Sequence, residues 1–472
     1  MTHSPFPLPS PRLPSLPRAP AALALALALL LPGCASMRTP YDAPAVAVPA
    51  QWQHAPATAR DAQAATGAWW KAFGDPTLDA LIDSALARNN DLAVATLRVR
   101  RAQLQARLAE NRPSVSGSAS AGASRALDGG ATTRSNSASL GVSYEVDLWN
   151  RLGASQDVAR WEALATAQDR EATAQALAGT TATLYWQLGY YGQRLAAATE
   201  SITYAERTLA LVQAQYDAGA VSALEVAESR QSLASQRASL ALLQQQSVEA
   251  SNALALLFDG AALGTAAPGW TTPRALPMQA LPEVAPGLPA ELLARRPDLR
   301  AAELRLRESL ASVDATRLSY YPQLSLTGAL GGSSASLGSV LANPLATLGA
   351  GLVLPFLNRT EMQLNTAIAR SDYEQAVVTF RQTLYQALAD VDNALSARRQ
   401  YAEQAAQLEQ SLADARRAEQ LYEVRYRAGA VALKPWLDAQ EKRRSAETAL
   451  AENRLNRLTN HATLFQALGG GT

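Results

Sequence analysis

SLGVSYEVDL, residues 139 to 148, alternates without a fault: Leu140, Val142, Tyr144, Val146 and Leu148 are apolar, and the residues between them are small or polar. Period two places successive side chains on opposite faces of an extended chain. About ten such residues span a bilayer as a tilted β-strand, with lipid on one face and water on the other. Trp149 follows at once, where an interfacial aromatic belongs. The run Gln323 to Thr327, and Leu348, Ala350, Leu352 and Leu354, alternate in the same way, and Val115 to Ala123, dominated by Ser and Ala, is the remaining strand candidate with a fainter pattern. An ordinary half-buried soluble strand would alternate too. Two hairpins in a chain that has no other strand candidates favour the membrane.

The remainder is helical in character. No proline separates Pro113 from Pro268 or Pro355 from Pro435, and no glycine interrupts Arg359 to Ala428. Inside that window Leu384, Leu388, Val391 and Leu395 are spaced 4, 3 and 4 apart, which is heptad spacing. A single helix there would be on the order of 100 Å long. The spacing does not choose between one helix, a hairpin and a generic coiled coil.

The chain is also duplicated. Asp91-Leu92 with Leu97-Arg98 recurs as Asp298-Leu299 with Leu304-Arg305, and Leu148-Trp149-Asn150-Arg151 is echoed by Phe356-Leu357-Asn358-Arg359. Tyr216-Asp217-Ala218-Gly219-Ala220-Val221 returns as Tyr426-Arg427-Ala428-Gly429-Ala430-Val431. Two repeats, 76–260 and 290–468, flank a Pro-rich linker or equatorial region, 261–289, with an extended segment at 34–75 and a short tail at 469–472. Four strands cannot close a barrel, because the smallest bacterial barrels have about eight. Open edges in lipid would leave backbone groups unpaired. Several chains must therefore pool strands, and closure alone permits either two or three.

Cys34 is the only cysteine, behind a basic start (Arg12, Arg18) and the apolar run Ala21 to Leu31. That run is too short to span a bilayer as a helix, which needs roughly 20 residues, but it suits an export signal over 1–33. Leu31-Pro32-Gly33-Cys34 resembles the lipoprotein box, in which cleavage falls between Gly33 and Cys34 and the thiol is acylated. Pro32 departs from its usual small residue. Ala35 stands where lipoproteins kept at the inner membrane carry Asp, so the resemblance points to the outer membrane.

Charge is balanced, 42 Lys+Arg against 41 Asp+Glu, with no basic stripe, so nucleic acid is not an expected partner. His3, His54 and His461 are too scattered to suggest a metal cluster with the single thiol. No P-loop or nucleophile motif is present, and neither an enzyme nor a cofactor other than the lipid on Cys34 is expected.

Four motif sets together carry a family resemblance: Trp69-Trp70-Lys71-Ala72-Phe73-Gly74-Asp75-Pro76, Ala85 to Leu92, the turns at Asn150-Arg151 and Asn358-Arg359, and the paired Tyr-x-Ala-Gly-Ala-Val sequences. The chain resembles the TolC-like outer-membrane factors, and among them the lipidated ducts of resistance-nodulation-division efflux systems. The resemblance implies an α+β membrane protein. It would be a trimer whose twelve-stranded transmembrane β-barrel continues into a long periplasmic α-helical barrel. The implied partners are a periplasmic adaptor (membrane fusion) protein, an inner-membrane transporter and outer-membrane lipid. A type I protein-secretion channel and a periplasmic coiled-coil adaptor or structural lipoprotein are the alternatives.

The resemblance also implies a periplasmic gate of acidic residues, which matches Asp390 and Asp392, with Arg398 and Arg399 as possible partners. Tyr216, Gly219, Tyr426 and Gly429 are expected to form structural turns flanking the equatorial region, since a glycine can adopt the left-handed conformation that ends a helix.

Overall fold

The computed structural model describes residues 37–54, 67–111, 114–124, 132–263, 270–342 and 344–470. The first repeat gives α1 (Pro76–Arg88), α2 (Asn90–Glu110), β1 (Ser114–Ser124), β2 (Thr133–Val146), α3 (Arg151–Asp217) and α4 (Ala223–Leu256). A helical turn at Leu292–Arg295 leads into the second repeat, α5 (Pro297–Leu318), β3 (Gln323–Ser334), β4 (Leu345–Val353), α6 (Arg359–Arg427) and α7 (Leu433–Ala467). The breaker-free window is thus one helix of 69 residues, not a hairpin.

Two compact units emerge, each drawing on both repeats: one holds residues up to 41, 109–158 and 310–371, the other 42–108, 159–309 and 372 onward. The sequential halves are therefore interleaved, because the strands of both repeats join one sheet.

In the first unit the sheet is antiparallel in the order β1-β2-β3-β4. The β2–β3 ladder unites the repeats, pairing Leu140 with Leu330 and Tyr144 with Leu326. The strand-to-helix junctions are tightly fastened. Asp147 accepts from the backbone N–H groups of Leu152 (3.2 Å) and Gly153 (3.0 Å), satisfying donors that the first turn of α3 leaves free. Arg151 forks onto both oxygens of Glu145 at 2.6 and 2.7 Å. The Trp149 indole donates to the Pro322 carbonyl at 2.8 Å.

In the second unit the core starts from a well-capped helix. Asp75 accepts from Thr77 N and Leu78 N, and Pro76 stands at a position where its missing N–H costs nothing. Leu78, Leu81, Ile82 and Ala85, spaced 3, 1 and 3, give α1 one fully buried face. Each large side chain there contributes roughly 1.5–3 kcal/mol of burial. That face joins Trp69, Trp70, Trp186 and Phe465 with the heptad residues Leu384, Leu388, Val391 and Leu395 of α6 in one cluster. Trp69 stacks on Phe465 with centroids 5.6 Å apart. Linker residues Leu276 and Val284 belong to the same cluster.

Candidate conduit surfaces and gate

The ladder registers sort the strand residues into two faces. Val115, Ala119, Ala138, Leu140, Val142, Tyr144, Leu324, Leu326, Leu330, Leu348 and Leu352 fall on one face. Ser116, Ser118, Ser120, Ser137, Ser139, Ser143, Ser325 and Thr327 fall on the other. Among the described residues nothing covers the apolar face: Leu348 is 92% exposed and Leu140 55%. A large uncovered apolar surface in water is a liability, whereas against acyl chains it costs nothing. On the opposite face hydroxyls pair across the strands, Ser118 with Ser139 and Ser120 with Ser137, both at 2.8 Å. Glu145, the one ionisable strand residue on this face among the described residues, is neutralised by Arg151. Each edge strand has one partner, β1 with β2 and β4 with β3. Among the described residues no helix is long and apolar enough to cross a membrane.

The two Tyr-x-Ala-Gly-Ala-Val sequences form matching helix ends. Gly219 (φ 73°) and Gly429 (φ 69°) are left-handed. Ala220 N reaches back to Gln215 O at 2.8 Å, and Ala430 N to Arg425 O at 2.9 Å, the six-to-one bond of a Schellman end. The turns connect α3 to α4 and α6 to α7. Their setting differs from the expected one. Tyr426 packs with Val212, Val226, Leu433 and Trp436 in a second cluster, separate from the cluster that holds the linker. These turns therefore close the far ends of the long helical hairpins instead of flanking the equatorial region. Tyr204, on α3, donates to Glu423 of α6 at 3.1 Å and meets Trp436 edge-on at 6.2 Å. Tyr216 is exposed.

The acidic stretch lies elsewhere and has other partners. Asp390 accepts from Arg296 at 3.3 Å and from Gln386 at 2.8 Å. Asp392 faces the His54 ring at 2.9 Å and the His54 backbone N–H at 3.3 Å. Arg398 donates to the Val284 carbonyl, and Arg399 pairs with Glu403 at 3.8 Å. Within this chain Arg398 and Arg399 are therefore not the partners of the two aspartates. Both aspartates flank Val391, a member of the linker-containing cluster, and not the cluster at the hairpin ends.

Several residues that organise this region gave no sequence signal. Arg296, with its side chain 13% exposed, binds Asp298, Asp390 and the Ala467 carbonyl. Burial pushes the Tyr185 phenol upward, reinforced by its 2.7 Å bond to Asp75. His461 is buried between Phe73 and Phe465, where desolvation, aided by Arg398 and Arg457, lowers its pKa to about 4. Of these, only the Asp75-Pro76 cap stands inside a motif that could have drawn attention. Further along the same helices, a cavity of about 1250 Å³ is lined by α3, α4, α6 and α7. Charged and polar side chains make up most of its lining residues, among them Arg207, Arg454, Arg457 and the paired Arg443 and Glu419. Gly33 and Cys34 lie outside the described residues.

A family model described as outer membrane efflux protein matches residues 81–260 and 288–470. The pyoverdine export outer membrane protein OpmQ of Pseudomonas putida is 35% identical over 483 residues, covering 97% of this chain and 98% of that protein. The toluene efflux pump outer membrane protein TtgC of Pseudomonas putida is 33% identical over 471 residues, 95% of each. Among solved structures, the outer-membrane channel OprN superposes with a TM-score of 0.83 at 26% identity, over 93% of this chain and 99% of that one. The open-state MtrE outer membrane channel of Neisseria gonorrhoeae gives 0.76 at 28% identity, over 93% and 98%.

Proposed function

Because the chain belongs to the outer membrane efflux protein family, we propose that three copies join their sheets, three times four strands, into one twelve-stranded transmembrane barrel. The assembly is the outer-membrane exit duct of a tripartite efflux pump. It conducts passively what an inner-membrane transporter of the resistance-nodulation-division type expels, and a periplasmic adaptor joins the two. The long helices supply the periplasmic part.

One observation carries this reading: a sheet with an uncovered apolar face, a hydroxyl-rich opposite face and two singly paired edges. In lipid each unpaired edge would cost several kcal/mol per backbone group, and closure with further copies removes the edges altogether. A coiled-coil adaptor or structural lipoprotein would leave this sheet without a purpose. The large cavity among the helices, lined mostly by charged and polar side chains, suits a water-filled passage better than a tight ligand pocket, and the duct itself does no bond chemistry. Cys34 is the site of acylation after cleavage behind Gly33, so the mature chain is also lipid-anchored.

Expression in an efflux-deficient host with its cognate pump and adaptor tests the whole. SDS-resistant, heat-modifiable oligomers in the outer-membrane fraction and reduced dye accumulation are expected. A monomer in the periplasmic fraction would sink the proposal, and export of a polypeptide without small-molecule efflux would move it to type I secretion.

A further inference from the structure

The cavity among α3, α4, α6 and α7 changes character along its length. Toward the hairpin ends its arginines have carboxylates beside them: Arg443 pairs with Glu419 and with Glu447 at 2.7 Å, Arg416 with Glu447 at 3.0 Å, and Arg444 with Glu441 at 2.6 Å. Arg207, unpaired there among the described residues, is exposed. At the linker end the lining holds Arg194, Arg454 and Arg457, and none of these has a carboxylate partner among the described residues. Arg194 donates to the Tyr190 hydroxyl at 2.8 Å, and Arg454 to the carbonyls of Pro277, at 3.0 and 2.9 Å, and Gln279. Arg457 has no hydrogen-bond or ion-pair partner among the described residues.

The linker fixes where these cations gather. It crosses α3 so closely that a Cβ built on Gly192, two residues before Arg194, would lie 2.5 Å from the Pro273 carbonyl oxygen. A few residues later the same stretch presents the Pro277 and Gln279 carbonyls to Arg454 of α7. Arg454 and Arg457 are three apart and share a helix face. Carbonyls carry no net charge, so the positive charges of this end stay uncancelled. Burial first, and Arg457 second, lower the pKa of Arg454, and burial followed by Arg398 and Arg457 lowers that of His461. Both groups thus have cations for charged neighbours. Like charges held together in a half-buried place repel, and an anion seated between them relieves that repulsion.

We propose that the linker end of this cavity is a binding site for a multivalent oxyanion, a phosphate or a polycarboxylate, held by Arg194, Arg454 and Arg457. The planar guanidinium fork matches the paired oxygens of either group. Glu200 and Glu409 also line the cavity, further toward the hairpin ends, and confine the anion by repulsion. On α3 the step from Arg194 to Glu200 is six residues, about 9 Å of helix rise. With about 1250 Å³ of space the cavity holds a small polyanion and the water around it. Half-exposed ion contacts are individually weak, so the affinity is roughly millimolar. The site goes beyond the duct reading, and binding to purified protein needs neither pump nor adaptor, so its failure would leave that reading untouched.

The test is isothermal titration of the purified full-length oligomer with inorganic phosphate, with citrate and, as a monovalent comparison, with acetate, at neutral pH and constant ionic strength. Phosphate or citrate should bind at roughly millimolar strength, and acetate about tenfold more weakly, because it meets the three cations with one charge. Arg457→Gln removes a cation that holds nothing else in place, and should weaken binding of the multivalent ion about tenfold. Arg194→Gln, on another helix, should do the same, and it serves if the first variant fails to assemble. Arg207→Gln, in the same cavity but at its other end, should leave binding unchanged. Acetate bound as tightly as the multivalent ions, an equal loss with Arg207→Gln, or no binding of either multivalent ion up to about 10 mM would each overturn the proposal. The order of phosphate and citrate affinities then tells a phosphate ligand from a polycarboxylate one.

Discussion

Tyr426 lies stacked on Trp436, their ring centroids 5.1 Å apart at 29°, and its hydroxyl donates to Gln215 at 2.6 Å. Tyr426 ends α6, Trp436 begins α7 and Gln215 ends α3, so one aromatic pair joins hairpins from both repeats at their far ends. Trp436→Ala should cost about 3–5 kcal/mol of local packing, whereas Tyr426→Phe, which loses one hydrogen bond, should cost about 1 kcal/mol. If this joint holds the helical ends together, Trp436→Ala also raises single-channel conductance in planar bilayers. A conductance equal to that of the unaltered protein, in oligomers that dissociate at a lower temperature, would confine the pair to a stabilising role.

The His461 site predicts an acid-side loss of stability. The folded chain holds this imidazole neutral, with its pKa lowered from 6.5 to about 4, so the unfolded chain binds more protons in between. The contribution is fully present above pH 6.5 and declines as pH falls to about 4. The drop corresponds to ~3 kcal/mol. Thermal unfolding of the purified protein across that range should show the decline. His461→Phe, which suits the Phe73 and Phe465 neighbours, should flatten it.

The hairpin-end glycines differ from ordinary loop glycines in their backbone, not their space: nothing lies within 4 Å of a Cβ built on Gly219 or Gly429. Valine at a positive φ is strained by its branched side chain, at roughly 1–2 kcal/mol or more. Gly429→Val should therefore lower the yield of SDS-resistant oligomers, and Gly429→Asn, which tolerates the left-handed region, should largely restore it. Equal yields for Val and Asn would place the need for glycine elsewhere, for instance in partner contact.

Much of the architecture was legible because it is written in local periods. Alternation over 139–148 marks β2, and the 4-3-4 steps of Leu384, Leu388, Val391 and Leu395 mark the face of α6 that is buried. The offset repeat marks the duplication. The surroundings of Asp390 and Asp392 were not legible, since their partners Arg296 and His54 lie 94 and 338 residues away. A heptad pattern can say that these two aspartates stand off the apolar stripe. It cannot say that the N-terminal segment and the start of the second repeat meet them there. Arg398 and Arg399, near in sequence, point to the Val284 carbonyl and Glu403 instead.

Those distant pairings change what substitution should do. Arg296→Met strips Asp298 and Asp390 of their shared cation while keeping the length of the side chain. Both carboxylates retain some water, with side chains 39% and 35% exposed, so the expected cost is about 2 kcal/mol, less than for a fully buried pair. Although burial pushes the Asp298 pKa upward, its bond to Arg296 holds it below 3.8 overall. The pair therefore stabilises the fold above pH 3.8, and the contribution is lost as pH falls through the lowered value. Denaturant unfolding of Arg296→Met and the unaltered protein at pH 7 and pH 3 should show the two curves converging at the acid end. A constant gap would mean that Arg296 acts by packing alone.

The sheet makes the sharpest demand, because neighbouring residues on one strand should behave in opposite ways. Leu140 and Leu330 face each other near the middle of β2 and β3 on the apolar side, while Ser139 points to the hydroxyl side. Arginine at the lipid-facing midplane of a barrel costs about 2–4 kcal/mol, and on a watery lumen face it costs little. Leu140→Arg and Leu330→Arg should each reduce the outer-membrane yield of oligomers, with the loss easing toward the strand ends. Ser139→Arg should insert normally and shift the ion selectivity of the open pore toward anions, because it adds three positive charges, one per chain of the trimer, to a face on which Glu145 is already neutralised by Arg151. If Ser139→Arg fails to insert while Leu140→Arg succeeds, the faces are reversed and the lipid-facing assignment falls.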